Sequence, residues 1–214
     1  MKNTTTPVKH QPQTYSRRRV VIASAIAGFS GALGLSALKT KPLFAASSDI
    51  IILNAAIDLE NQAIWAYNTA GPALTNTTVG KTILNLALRN RDDHIKHRDA
   101  LSGIVKKLGG TPAPAQDSYD LSSYIDAGEG NLDSDANIAK LALALEYDAV
   151  LAYIDAFSQL KDRDIIAAAG TIAPDESGHV TAIRAVFKTL DPRIEYVPSA
   201  FISADTRDAW ILKV

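Results

Sequence analysis

Leu59-Glu60-Asn61-Gln62-Ala63-Ile64-Trp65-Ala66-Tyr67 returns 86 positions later as Leu145-Glu146-Tyr147-Asp148-Ala149-Val150-Leu151-Ala152-Tyr153, so Leu-Glu-x-x-Ala-(Ile/Val)-x-Ala-Tyr occurs twice. Asp93-His94-Ile95-Lys96-His97 is answered at a shift of 82 by Asp175-Glu176-Ser177-Gly178-His179, and a Leu follows each last His by eleven residues, at Leu108 and Leu190. Two shifts this close read as one duplicated two-helix unit. In the first copy Leu53, Ile57, Glu60, Ile64 and Tyr67 are spaced by four, three, four and three, which is one face of a helix. Glu60 therefore sits inside an apolar stripe. An ionised carboxylate there loses several kcal/mol of solvation unless it is paired or bound to a metal.

Working outward, the periodicity predicts four long helices over about 49–70, 79–108, 135–160 and 163–190. Gly109-Gly110 and Pro112 stop the second helix, whose inward face reads Leu86, Asn90, His94, His97, Leu101, Ile104 and Leu108. Residues 109–134, rich in Pro, Gly, Ser and Asp, form a connection long enough to cross between parallel helices, with a helical turn near Leu121–Tyr124. The third helix presents Leu143, Glu146, Val150 and Tyr153 inward. Only a few residues separate it from the fourth, so those two should be antiparallel. Pro174 should kink or split the fourth helix just before its motif. The fold expected is all-α, a four-helix bundle over 48–192, with 193–214 packed across it as an irregular tail that carries Pro198, Phe201 and Trp210.

The first 47 residues read differently. Tyr15-Ser16-Arg17-Arg18-Arg19 leads into a weakly apolar run from Val20 to Leu38, with Lys39 and Lys41 behind it. This resembles a twin-arginine export signal, cleaved near Ala45-Ala46-Ser47-Ser48. The alternative is a retained anchor, because the run is about the ~20 residues needed to cross a bilayer. Expected locations follow from each: the periplasm or exterior after cleavage, the membrane if the segment is kept. Residues 1–48 hold seven Lys or Arg and no Asp or Glu, which leaves 15 basic and 23 acidic residues and a formal charge of −8 on the remainder. Such an acidic domain is a poor nucleic-acid binder. Cysteine is absent, which excludes disulfides, thiolate metal sites and thiol nucleophiles. A metal would be held by oxygen and nitrogen alone.

His94 and His97 are three apart, as are Glu176 and His179, so each pair projects from one side of its helix. The chain has four His; His10 lies in the leader and the other three all fall in these motifs. Glu60, Glu146, Glu176, His94, His97 and His179 are thus the candidate metal ligands. Tyr67 and Tyr153, seven residues after Glu60 and Glu146, share their faces and are read as core packing or as hydrogen-bond donors to the ligands. Asp92 and Asp175 are read as solvated helix charges.

Glu60, a His-bearing pair, a long crossover, then Glu146 and Glu176-x-x-His179 together resemble the ferritin-like fold over about 49–190. Within it the chain is similar to exported bacterial ferritin-like proteins, some related to desiccation-associated proteins, and Gly109-Gly110-Thr111-Pro112 is similar to that group as well. The resemblance implies a di-iron or di-manganese centre built from one Glu on each of two helices and Glu-x-x-His on each of the other two. By repeat alignment His94 stands where that pattern has a Glu. A neutral imidazole does not bridge two metals as a carboxylate does. Asp93 points about 100° round the helix from His94. Mononuclear iron, manganese or zinc and a two-metal site bridged by Glu176 alone both stay open.

Three functions are compatible with these residues. A redox metal could react with oxygen or peroxide, as the resemblance implies; iron comes first, with manganese and zinc as alternatives. A second class handles iron or protects against stress without turning over an organic substrate. The third is a metal-free structural or interaction bundle of the cell envelope. Expected partners are the export machinery in transit and at most a second copy of the chain, with no nucleic acid and no membrane contact for the mature domain.

Overall fold

The computed structural model describes residues 41–214, so the export-signal reading of the first 40 positions lies outside the described residues. Helices α1 (Lys41–Ala70), α2 (Thr78–Lys107), α3 (Ser122–Asp126), α4 (Asp135–Gln159), α5 (Arg163–Leu190) and α6 (Arg207–Trp210) follow in order, with single 3₁₀ turns at Gly71–Ala73 and Ala204–Thr206. Among the described residues there is no strand. Helix starts are fixed by side-chain caps: Thr77 accepts from the Gly80 amide at 3.0 Å, Ser134 from Asn137 at 3.2 Å, and Asp162 from Asp164 and Ile165. At the far end of α2, Gly109 takes φ +80, which a residue with a side chain rarely adopts. Helix α1 begins eight residues before the expected position 49, so 45–48 lie within it.

Pro174 does not split α5, which is helical without a break from Arg163 to Leu190. A proline ring collides with the carbonyl four residues earlier. That residue is Gly170, whose backbone tolerates adjustment and where an added Cβ would meet nothing within 4 Å.

Helices α1 and α2 pack together, as do α4 and α5, and the two pairs meet along α1 against α4 and α2 against α5. Tyr67 pairs with Glu146 and Tyr153 with Glu60, so numbers fall on α4 as they rise on α1, and those helices are antiparallel. With α1 antiparallel to α2 as well, α2 and α4 run parallel, which is why the long 108–134 connection is needed. That connection is pinned to α1: Asn54 donates to Thr111 O at 3.0 Å and accepts from Ala113 N at 2.8 Å, and Asp58 accepts from Gln116 and Tyr119. At Gly130, φ is +120, and a side chain there would run into the α4 backbone at Asn137 and Leu141.

The tail is more regular than expected. It forms a 3₁₀ turn and α6, and buries Trp210 and Ile211 against Tyr147 and its neighbours. Arg207 joins Glu129 of the crossover to Asp148 of α4, and buried Arg184 donates to the carbonyls of Glu195 and Trp210. No helix among the described residues is long and apolar enough to cross a membrane.

Two apolar clusters fill the bundle. One gathers Ile83, Leu143, Tyr147, Val150, Val180, Ile183 and Phe187; the other gathers Leu53, Ile57, Leu101, Val105, Tyr153 and Ile165. On α2 and α5 a polar layer, Asn90 to His97 and Glu176 to His179, separates them.

Candidate metal centre

All six sequence-derived candidates meet in that layer. Glu60 comes from α1, His94 and His97 from α2, Glu146 from α4, and Glu176 and His179 from α5. Glu60, Glu146, His94 and Glu176 are each at most 2% exposed. Their donor atoms fall into two overlapping sets of four, each within 4.8 Å of one another: Glu60, His94, His97 and Glu176, and His94, Glu146, Glu176 and His179.

The first set closes as a ring of short separations. His94 Nδ1 lies 2.7 Å from Glu60 Oε2 and 3.6 Å from Glu176 Oε1, and His97 Nδ1 lies 3.0 Å from Glu176 Oε1 and 3.7 Å from Glu60 Oε2. In the second set His94 Nε2 is 3.3 Å from Glu146 Oε1, and His179 Nδ1 is 3.3 Å from Glu146 Oε2 and 3.4 Å from Glu176 Oε2. An ion bound at about 2.0–2.2 Å by four tetrahedral nitrogen and oxygen donors sets them about 3.3–3.6 Å apart. The second set's separations of 3.3–3.4 Å match that requirement, while those of the first run from 2.7 to 3.7 Å, so Glu60 and His94 must draw apart to admit an ion.

Neighbouring side chains hold the carboxylates in place. Tyr67 donates to Glu146 Oε1, Tyr153 donates to Glu60 Oε1, and Asn90 donates to Glu146 Oε1 at 3.2 Å and to the Tyr67 hydroxyl at 3.1 Å. The tyrosines are thus hydrogen-bond donors to the candidate ligands, each reaching across from the other helix pair. Asn90 was legible as a polar residue one turn before His94 on an apolar face, a signal for a supporting role. Asp175, read from sequence as a solvated charge, has its side chain 45% exposed but brings Oδ2 within 3.1 Å of His97 Nε2 and 3.7 Å of His179 Nε2. Asp93 is buried, lies 3.5 Å from His179 Nε2, and is paired with Arg89 and Lys96. Asp92 stays exposed beside Arg91.

The electrostatics follow from burial set against pairing. Burial pushes the Glu60 carboxyl up, but His94 and His97 outweigh it and leave it below the usual carboxylate range. Glu146 is buried more completely, yet the His94 charge and the His179 and His94 contacts hold it well below that range. Glu176 goes the other way: its desolvation exceeds what His179 and His97 return. Burial disfavours the charged histidines, but Glu176 and Glu60 raise His97 to about 9, and Glu146 and Glu176 raise His179 to about 10. His94 is held well above the usual histidine range, chiefly by Glu146. Burial and the adjacent carboxylates push both tyrosines well up, so they stay neutral donors.

Two atoms of this layer, Glu176 Oε2 and His179 Nε2, are buried without an aligned hydrogen-bond partner. Buried oxygen and nitrogen donors at ligand spacing, some of them unsatisfied, fit a borderline divalent ion.

Known proteins point the same way for the fold. A family model described as a ferritin-like domain matches residues 48–189. The crystal structure of a conserved hypothetical protein from Mycobacterium tuberculosis is similar to the chain at 23% identity and a TM-score of 0.55, over 65% of this chain and 97% of that one. None of the curated proteins matches. With an all-helical bundle and two thirds of its sequence matched, the chain belongs to the ferritin-like domain family.

Proposed function

We propose that the chain is an exported ferritin-like protein that binds a transition-metal ion among Glu60, His94, His97, Glu146, Glu176 and His179. The observation that carries this reading is the set of three carboxylates and three imidazoles, drawn from four helices, whose donor atoms lie at ligand spacing in the bundle interior. Iron or manganese bound there supplies one-electron chemistry toward oxygen or peroxide, the reaction proposed for the loaded protein. The chain's own residues prepare that chemistry. Tyr67, Tyr153 and Asn90 fix the carboxylates, and the apolar layers on either side limit water. Sequence supports the remainder: two helix pairs copied from one unit, and export through the Arg17-Arg18 leader.

A second reading has its own support. His94 lies between Glu60 and Glu146 as an imidazolium would between two counter-ions, so the layer can also stand as a metal-free polar network. Elemental analysis of untagged protein from its native compartment decides between them, with a His97→Ala/His179→Ala variant alongside. Near-stoichiometric iron or manganese that disappears in the variant supports the proposal and makes oxygen and peroxide consumption the next assay. Zinc alone supports binding without redox chemistry. An equally empty wild type and variant favours the metal-free network.

A further inference from the structure

We infer that the centre takes one ion per chain, in the cage of Glu60, His94, His97 and Glu176, and that Glu146 is an outer carboxylate accepting the second ring proton of His94. The inference rests on the metal binding proposed above and specifies which of the six residues touch the ion.

The two four-residue sets share Glu176 and His94, and share them unequally. Glu176 offers a different oxygen to each: Oε1 faces His97 and His94 Nδ1, while Oε2 faces His179. A carboxylate can use both oxygens at once. His94 likewise turns a different atom to each set, Nδ1 toward Glu60 and Nε2 toward Glu146. A neutral imidazole has a single lone pair, its other nitrogen being a donor. His94 can therefore complete one cage or the other. A carboxylate at position 94, as the repeat partner Glu176 is, would face no such restriction.

The surroundings choose between them. With the ion in the first cage, every ring nitrogen turned away from it meets a carboxylate: His94 Nε2 has Glu146 Oε1 at 3.3 Å and His97 Nε2 has Asp175 Oδ2 at 3.1 Å. Glu60 binds through Oε2 and keeps its Tyr153 bond on Oε1. Carboxylate-backed histidines of this kind are the usual companions of a bound metal. The second cage is less complete. The outer nitrogen of His179 is buried without an aligned partner, its neighbours Asp93 and Asp175 lie at 3.5 and 3.7 Å, and Asp93 is taken by Arg89 and Lys96. In either cage His94 has a carboxylate behind its outer nitrogen, Glu146 in the first and Glu60 at 2.7 Å in the second, so the difference lies between His97 and His179. Oε1 of Glu146 accepts from Tyr67 and Asn90. In the first-cage state Glu146 retains those donors, gains the His94 proton, and keeps His179 at 3.3 Å beside its other oxygen.

Cobalt(II) titration of the full metal-free chain tests this, read by ions retained per chain after desalting and by the ligand-field absorption that reports coordination. Expected are one cobalt in the wild type, one in His179→Ala with unchanged absorption, none retained in His97→Ala, and two in His94→Glu. Glu146→Gln should keep its ion with affinity lowered about tenfold to a hundredfold, the effect of losing an outer partner. Should His97→Ala not fold, as judged by circular dichroism, His97→Gln replaces it. Two cobalt ions in the wild type would overturn the single cage and leave the metal-binding proposal standing. Loss of the ion in His179→Ala with retention in His97→Ala would move it to the second cage and likewise overturn the inference. A wild type that binds no cobalt, iron, manganese or zinc removes both.

Discussion

A glutamate and a tyrosine seven residues apart on one helix never touch each other in this molecule; each pairs with its counterpart on the opposite helix, Tyr67 with Glu146 and Tyr153 with Glu60. Replacing Tyr153 by Phe removes the donor that fixes Glu60, so metal affinity should fall about tenfold or more. Competition against a chromophoric chelator measures this, and unchanged affinity would show that Glu60 needs no such support. The titrating groups set a pH window as well. His97 and His179, raised from 6.5 to about 9 and about 10, contribute stability that is complete below the unfolded value and is lost as pH climbs through those folded values. Glu60 and Glu146, lowered from 4.5, contribute stability above that value and lose it as pH falls through their depressed folded values. Raised Glu176 works against these carboxylates and costs stability once ionised. The metal-free protein should therefore melt highest at intermediate pH, while metal affinity rises across the same range because the histidines must lose protons to bind. Thermal melts with and without chelator from pH 4 to 10 check both trends. Sequence made the six candidate residues legible as one group because buried Glu and His at helical spacing are costly by chance, and the structure brings them together. What sequence did not show is that exposed Asp175 reaches His97, a contact that depends on how α2 and α5 pack.

Element boundaries were readable where a local device sets them. Thr77, Ser134 and Asp162 cap, Gly109-Gly110 terminates, and α2, α4 and α5 begin and end within a residue of expectation. Pro174 does not split α5, and the residue whose carbonyl its ring faces one turn earlier is Gly170. The short α6 carries no periodic signal; it forms because Trp210 and Ile211 find a home on α4 and α5. Asp162→Ala removes the acceptor for two amides at the start of α5 and should cost about 1 kcal/mol, read by denaturant unfolding. A change within ±0.2 kcal/mol would mean that packing alone fixes that helix start.

At the scale of the molecule, stability and the site are separable. Trp210 is 2% exposed and packs on the ring of Tyr147, whose hydroxyl bonds to the tail and not to a candidate ligand, so Trp210→Ala should lose about 3–5 kcal/mol while still taking up metal in the folded fraction. Calorimetry and elemental analysis on the same sample would show it; loss of the ion from folded Trp210→Ala protein would tie the tail to the centre. The crossover has a further consequence. It lies on the outside of the bundle, pinned through Asn54 and Asp58 on α1. Everything before it supplies Glu60, His94 and His97, and everything after it supplies Glu146, Glu176 and His179. A protease nick there would leave two fragments, neither holding a full donor set, and the bound ion would then act as a non-covalent rivet between them.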